Sequence, residues 1–413
     1  MPRQPLIACP HCDTLHVRLD PGVRGRAECR CCGAVLYRRG WLSLDQWVAL
    51  GWTCLAVFAI AQWFPIVRLS IQGLDLSLTY WQALRLCWDR GYYGVSVMTG
   101  LAGFWFPLLQ IVLTLWVMQS IAARRLPPDL GLALRLLGRL GPWSMATVLI
   151  LAILVSVVKI AGLARLQVEP GMLGFFALCF LLTGLGRWDA RALWRQAEDA
   201  GLVPLSGACG QGRVCDACGC VQAPQASGRC LRCGASMGHA RHGNATQVWA
   251  LLLAAAVFYI PANVLPIMEV RTVMGRSEHT ILGGVIELWR YGSWDLAVIV
   301  FVASVLVPVA KLLALAFLQL RGGVQDAQAQ RQRTRLYATV EFVGQWSMLD
   351  VFVVVLMAAM ANFPGLSQIN VGPAALSFGA VVVLTMIAAM CHDPRRGWDA
   401  LRDARLIKET HEP

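Results

Sequence analysis

Charge is what this sequence is short of. Asp, Glu, Lys and Arg make up 15% of its 413 residues, where a soluble globular chain carries about a quarter. Apolar residues make up 57%, so a single soluble core is excluded and an integral membrane protein is indicated. Catalytic signatures are missing as well. There is no Walker A sequence, no Gly-x-Ser-x-Gly elbow and no His-Glu-x-x-His. Nothing here hydrolyses ATP, and any uphill transport needs another energy source. No cleavable leader is expected either, since the chain opens Met1-Pro2-Arg3 and reaches a Cys-x-x-Cys pair before any apolar run. The first cysteines are therefore expected to stay in the reducing cytosol, where paired thiols bind metal more often than they form disulfides.

What is abundant agrees with a membrane protein. Sixteen Trp, 38 Gly and 19 Pro suit a chain whose Trp side chains anchor helices at interfaces and whose spans tolerate Gly and Pro. Apolar stretches long enough to span fall at Trp47–Val67, Val95–Met118, Pro142–Leu163, Gly171–Gly186, Val248–Met268, Leu296–Leu318, Val343–Ala361 and Val371–Cys391. Of the 36 Lys and Arg, the segments before span one, after spans two, four and six, and after span eight carry 27; the alternate segments carry 7. The positive-inside rule then places both termini in the cytoplasm. It also accounts for the net charge of +12 without nucleic acid.

The two halves repeat. Pro65-Ile66 matches Pro266-Ile267, Thr79 matches Thr280, Trp88 matches Trp289 and Pro107 matches Pro308, all at an offset of 201. Trp143-Ser144-Met145 matches Trp346-Ser347-Met348 at 203, and Trp188-Asp189-x-Arg191-x-x-Trp194 matches His392-Asp393-x-Arg395-x-x-Trp398 at 204. Each half has an even number of spans, so the repeat is parallel. The expected fold is an all-α polytopic protein of about eight helices in two tandem four-helix units, with two small cytosolic zinc ribbons. The ribbons occupy 1–46 and 195–245, the helical units 47–194 and 246–398, and a cytosolic tail 399–413.

Cys9-Pro-His-Cys12 is followed by Cys29-Arg-Cys-Cys32-Gly, and Cys215-Asp-Ala-Cys218 by Cys230-Leu-Arg-Cys233-Gly. Two knuckles of two thiolates each close a tetrahedral shell with no open position. That predicts two zinc ions, one per ribbon, in structural or docking roles; rubredoxin-like iron is the chemical rival. Gly33 and Gly234 suit the tight turn after the second knuckle. Cys31, Cys209 and Cys220 are spare, though Cys31 competes with Cys32 for the fourth position. His11 reads as a knuckle residue, and His239 and His242 as linker.

Ionisable groups inside the hydrocarbon are functional candidates. Lys311 in span six and Asp350 in span seven have opposite charges and are expected to pair. Ser304 lies two turns before Lys311, and Pro308 removes a backbone donor to the Ser304 carbonyl, predicting a kink. Thr385 in span eight completes the candidate polar centre, and Lys159 near the end of span three is a further candidate that snorkelling also explains. The bland alternative is a structural ion pair. The first half has Gln110 and Thr147 where the second has Lys311 and Asp350. Outside, Thr79–Tyr93 and Thr280–Trp294 read as interfacial helices, whose Trp81, Trp88, Trp289 and Trp294 are membrane-surface anchors or a partner-docking surface.

The doubled ribbon, the doubled four-span unit, the Trp346-Ser347-Met348-Leu349-Asp350-Val351 stretch and the Asp-x-Arg-x-x-Trp endings together resemble the paraquat-inducible protein A family. The arrangement is similar to the inner-membrane component of the lipophilic envelope-spanning tunnel (MCE) systems. That resemblance implies tetraspanin-like helical units, cytosolic zinc ribbons and a periplasmic MCE-domain tunnel protein as partner. It further implies phospholipid transport between the two membranes of a Gram-negative envelope. It matches Lys311 and Asp350 to a charged pair in the C-terminal unit, with Ser304 and Thr385 in the same network. The expected function is a non-enzymatic lipid transporter of the inner membrane. The rival readings are a membrane-anchored zinc-ribbon scaffold or redox sensor without transport, and an iron-bound electron-transfer protein.

Overall fold

The computed structural model describes residues 6–18, 26–38, 42–71, 74–89, 91, 93–127, 129–144, 148, 152, 165–186, 188, 190–203, 213–223, 228–237, 245–272, 275–290, 292, 294–320, 326–346, 353 and 367–402. It is mostly helical. Near the N-terminus two short hairpins, β1 (Leu6–Ala8) with β2 (Leu15–Val17) and β3 (Arg26–Glu28) with β4 (Val35–Arg38), carry the first cysteine cluster. Helix α1 (Leu44–Trp63) follows, started by a capping box in which the Ser43 side chain accepts from the Gln46 N–H and Gln46 accepts from the Ser43 N–H.

The chain beyond α1 departs from the all-α expectation. Strands β5 (Val67–Ile71) and β6 (Leu74–Leu78) form a hairpin that leads into α2 (Tyr80–Asp89) and α3 (Tyr93–Gly100). A wide π-helical turn over Leu101–Trp105 joins α3 to α4 (Phe106–Ala122), and α5 (Leu130–Leu140) comes after it. Strand β7 (Arg165–Val168) then returns to pair with β5, and α6 (Pro170–Leu185) and α7 (Ala190–Asp199) close the first half. The sheet order is β6-β5-β7, antiparallel throughout. The pairing of β5 with β7 joins segments about a hundred residues apart, which no local pattern announces.

The second half repeats these elements. The hairpin of β8 (Arg213–Val214) and β9 (Val221–Gln222) belongs to the second cysteine cluster. Helix α8 (Ala245–Val264) precedes β10 (Met268–Thr272), β11 (Gly275–His279), α9 (Ile281–Arg290) and α10 (Trp294–Phe301). Another π-helical turn, Val302–Leu306, leads into α11 (Val307–Leu320), and then come α12 (Ala327–Trp346), β12 (Ser367–Val371) and α13 (Pro373–Cys391). The sheet order is β11-β10-β12. The interfacial segments are helical as expected, in α2 and α9.

Among the described residues, five helices are long and apolar enough to cross a membrane: Leu44–Trp63, Ser96–Ala122, Ala245–Val264, Ala297–Leu320 and Pro373–Arg402. Helix α6 passes that test only together with α7, across a bend of 57°. The expected third and seventh spans lie mostly outside the described residues. The kink expected at Pro308 takes another form. The helix runs on through Ala297–Leu320, and the Val307 N–H reaches back five residues to the Val302 carbonyl. Widening the turn absorbs the missing proline donor without a break. The same device stands before Pro107, where the Phe106 N–H bonds to the Leu101 carbonyl.

Close approaches at small residues hold the helices together. A Cβ on Gly174 of α6 would lie 3.1 Å from the Ala61 Cα of α1. One on Gly171 would lie 2.5 Å from the carbonyl oxygens of Phe64 and Pro65, and in the second half Gly372 meets the Pro266 carbonyl in the same way. The Gly171 N–H bonds to the Pro65 carbonyl, and the Gly372 N–H to that of Ile267. These contacts pin each sheet to one end of its helices. The cysteine clusters sit at the opposite end.

Candidate functional site

Each cysteine cluster is assembled from two knuckles of one geometry. In all four, the residue after the second cysteine has a left-handed backbone: Asp13 (φ 52°), Gly33 (77°), Gly219 (71°) and Gly234 (69°). Each donates its N–H to the carbonyl of the first cysteine, at 3.0, 2.9, 2.8 and 2.8 Å. Asp tolerates this conformation where other side chains resist it, so Asp13 stands in for the glycine of the other three. The turns bring Cys9, Cys12, Cys29 and Cys32 into one buried group, and Cys215, Cys218, Cys230 and Cys233 into another. Within each group the sulfurs all lie within 4.8 Å of one another. The Cys9–Cys32 and Cys215–Cys233 pairs, at 3.4 and 3.5 Å, are near the ~3.8 Å edge of a zinc tetrathiolate with bonds of about 2.3 Å. The donor set fits zinc, and each group could hold a metal ion.

Within each group the thiols share protons unevenly. Hydrogen bonds from Cys12 and Cys32 pull Cys9 down to about 4, while Cys32 is pushed up. Bonds from Cys218 and Cys233 pull Cys215 down to about 7 against the opposing bond to Cys230, while Cys218 and Cys233 are pushed up. Cys31 lies outside the first group of four and Cys220 outside the second. Cys209, His239 and His242 lie outside the described residues. His11 is not among the grouped ligands; burial and the nearby Arg191 guanidinium lower its pKa. His16 places Nε2 3.3 Å from the Cys29 sulfur, a contact that the sequence reading passed over.

The ribbons dock crosswise. The ribbon of the first half seats mainly under helices of the second, and that of the second half under helices of the first. Ile7, Cys9, Cys12, Cys29, Cys32 and Leu36 form one apolar cluster with Trp398 and Leu401, beyond α13. Arg395 donates from Nε to the Pro10 carbonyl at 3.1 Å, Arg402 donates to the Cys12 carbonyl, and Arg331 of α12 donates to the Cys31 carbonyl at 2.5 Å. The second cluster packs on α5, α7, Trp47 and Trp194. There Arg232 is paired with Glu198 at 2.5 Å and lies 4.6 Å from the Trp194 ring centre. The two ribbons also meet, through Ala8, Val214 and Val221. Arg395 ties both, pairing with Asp13 at 3.5 Å and with Asp216. The Asp-x-Arg-x-x-Trp endings that mark the repeat are thus the sockets for the ribbons. Repetition made them visible in the sequence; nothing in the pattern said that each serves the ribbon of the other half.

The candidate polar centre lies in the second bundle. Lys311 of α11 is 3% exposed, and its ammonium has no hydrogen-bond partner among the described residues. It comes up against α12 at Gly344, where a Cβ would sit 3.0 Å from Nζ; the glycine leaves room for the charge. Ser304 and Thr385 are also buried. Each hydroxyl donates to its own helix, Ser304 to the Val300 carbonyl at 2.7 Å and Thr385 to that of Val382 at 3.0 Å. Their oxygens keep lone pairs to accept with. The π turn alters the simple two-turn spacing between Ser304 and Lys311, yet both side chains face inward. Asp350 and Lys159 lie outside the described residues, as does Thr147. The exposed rings of Trp81, Trp88, Trp289 and Trp294 agree with surface positions for the interfacial helices, with Trp289 stacked on Trp294 at 5.9 Å.

The sequence model of the family described as paraquat-inducible protein A matches this chain over residues 44–198 and again over 245–402. The chain is 31% identical over 412 residues, 95% of each protein, to intermembrane transport protein PqiA of Escherichia coli strain K12. It is 31% identical over 404 residues, 97% of this chain and 92% of the relative, to lipophilic envelope-spanning tunnel protein A of the same strain. A probable intermembrane transport protein of Haemophilus influenzae is 26% identical over 406 residues, 95% of each chain. No solved structure matches the chain.

Proposed function

Because the chain belongs to the paraquat-inducible protein A family, we propose that it is a transport protein of the Gram-negative inner membrane. It passes phospholipid to or from a periplasmic MCE-domain tunnel protein, with both termini in the cytoplasm. The observation that carries this reading is the buried ammonium of Lys311 within an apolar helix. Such a charge is costly unless it has work to do, and it occurs in a chain alignable end to end with intermembrane transport proteins.

In this reading the chain comprises two tandem four-helix units of eight spans in all, each preceded by a zinc ribbon. The double family match and the paired π turns and sheets support that division. Asp350, in the stretch that follows Gly344, is the counter-charge for Lys311, and Ser304 and Thr385 are hydrogen-bond acceptors for the ammonium. Protonation or re-pairing of this centre is the event that changes the bundle's conformation. Lys159, in the stretch before β7, remains a candidate for the same work in the first half. Each ribbon is held by one zinc ion, which when bound supplies cross-links between knuckles and no reaction centre. No reaction step is assigned to any residue. The scaffold reading is disfavoured because the ribbons spend their surface on the helices themselves, leaving less for a cytosolic partner.

The test is photo-crosslinking from positions along α11 and α12 in cells with radiolabelled phospholipid. Adducts confined to the face that bears Lys311 are expected. Adducts spread evenly around the helices would refute the reading.

A further inference from the structure

A cavity of about 100 Å³ opens at the ribbon end of the second bundle. Its walls come from Ala245 at the start of α8, Leu318 near the end of α11, the first half of α12, and the residues that follow α13. Leu318 is seven residues beyond Lys311, about 10 Å along the helix. The cavity therefore lies at the end of the apolar helix Ala297–Leu320, which the membrane placement proposed above puts near the lipid headgroups.

Its polar lining is cationic on balance. The guanidinium groups of Arg333 and Arg396 outnumber the one carboxylate, Asp393, and Gln330, Thr334 and the His392 ring complete the lining. The negative member is engaged already: the Asp393 carboxylate accepts from the Arg395 N–H at 3.0 Å. The cationic wall is held in place. Arg333 Nη2 donates to the Leu318 carbonyl at 2.6 Å and Nη1 to the Gln330 side-chain oxygen at 3.5 Å, which fixes the guanidinium plane at the cavity wall. The His392 ring packs on Tyr337 with centroids 5.4 Å apart, and the Tyr337 hydroxyl donates to the Ala389 carbonyl at 3.1 Å. Thr334 accepts from the Trp398 indole at 3.1 Å, so the tryptophan that seats the first ribbon also braces this wall.

The first half shows what the position looks like without such a task. At the repeat offsets, Leu130 stands for Arg333, Leu134 for Tyr337, Ala192 for Arg396 and Trp188 for His392. Leu130 and Leu134 are buried in the cluster that receives the second ribbon. One copy of the repeat has only apolar side chains at these positions, whereas the other keeps the place open and lines it with guanidinium groups. Maintaining the fold does not require the second solution.

We propose that this cavity is a binding site for a phosphate group, and that its physiological occupant is the phosphate of a glycerophospholipid in the leaflet at the ribbon end. Forked guanidinium donors match phosphate oxygens, and basic pockets between membrane helices suit anionic headgroups. The lipid's acyl chains would lie along the apolar face beside Leu318. The inference rests on the membrane placement proposed above, but not on transport: headgroup binding can fail here while crosslinking at Lys311 succeeds.

The experiment uses the full-length protein in nanodiscs of phosphatidylcholine with and without phosphatidylglycerol. Native mass spectrometry reads the phospholipid retained after release into detergent, and inorganic phosphate is titrated as competitor. Arg396→Gln and Arg333→Gln are compared with the unaltered chain, with metal content as the check on folding. Each substitution is expected to weaken phosphatidylglycerol retention about tenfold, as loss of a charge-assisted bond to phosphate implies. Should Arg333→Gln lose metal, Arg396→Gln alone carries the test. Retention that inorganic phosphate abolishes at low millimolar concentration would support a phosphate site while assigning it to the free ion. Unchanged retention in both variants, with no phosphate competition, would overturn the proposal.

Discussion

Replacing Arg232 should release the second ribbon from its seat. Arg232 lies between the two cysteines of a knuckle, with Nη1 2.5 Å from Glu198 Oε1 and Nη2 2.9 Å from the Trp194 carbonyl. Its side chain is 5% exposed and that of Glu198 4%. Removing one partner of a buried pair costs about 3–5 kcal/mol, because the remaining charge is left in a poor medium. Here Arg18 of the first ribbon, 3.5 Å from Glu198 Oε2, stays to offset part of that loss. About 2 kcal/mol is therefore the expected penalty of Arg232→Ala, which corresponds to roughly 30-fold in the undocked population. The assay is transfer of metal to a chromogenic chelator from full-length protein in detergent. One kinetic phase should accelerate by about that factor, and the phase belonging to the first ribbon should not. Arg232→Lys, which keeps the charge but loses the fork, should fall between. A change of less than about threefold, about 0.7 kcal/mol, would refute the reasoning, since it would show that the pair does not hold the ribbon down.

Other predictions follow from the same structure. Lys311→Met preserves length and apolar stem, so protein level and metal content should be retained while complementation of a deletion strain is lost; intact complementation would make the lysine a packing residue. Gly171→Ala places a methyl 2.5 Å from two backbone oxygens that no side-chain rotation can relieve, and should cost about 1–3 kcal/mol, seen as a lower midpoint of heat unfolding in detergent. Elemental analysis should find one zinc ion for each cluster, and Cys218→Ser should remove the ion of the second cluster while leaving that of the first. Arg395→Ala should loosen both ribbons at once, raising thiol reactivity in the two clusters together, because Arg395 reaches Asp13 and Asp216; reactivity raised in one cluster only would contradict its bridging position.

How far the sequence reached differs from element to element. Cys9, Cys12, Cys29 and Cys32 and their four counterparts were legible because a knuckle is a local object. Its ligand spacing and its left-handed residue lie within five positions, and the two knuckles need only a short hairpin to meet. Helices Leu44–Trp63 and Ala245–Val264 were legible because a membrane-spanning helix satisfies its backbone within its own segment. Strands β5 and β6 gave a weaker signal, the alternation Arg68-Leu69-Ser70 and Leu74-Asp75-Leu76-Ser77-Leu78 around a Gln-Gly pair. That signal was too short to mark the two strands that begin a three-stranded sheet.

Thus the grouping of the cysteines, the sequence repeat, the apolar character of the five long helices and the charge of Lys311 follow from residue type and spacing alone, since each depends on short-range chemistry. The rest needed the folded chain. That β7 returns to β5, that the π turn rather than a kink accommodates Pro308, and that each ribbon seats under the other half are matters of which distant surfaces fit. So is the cationic cavity, whose Arg333 and Arg396 stand 63 positions apart in the sequence. Local pattern specifies what a segment can become; only packing between segments decides which one it meets.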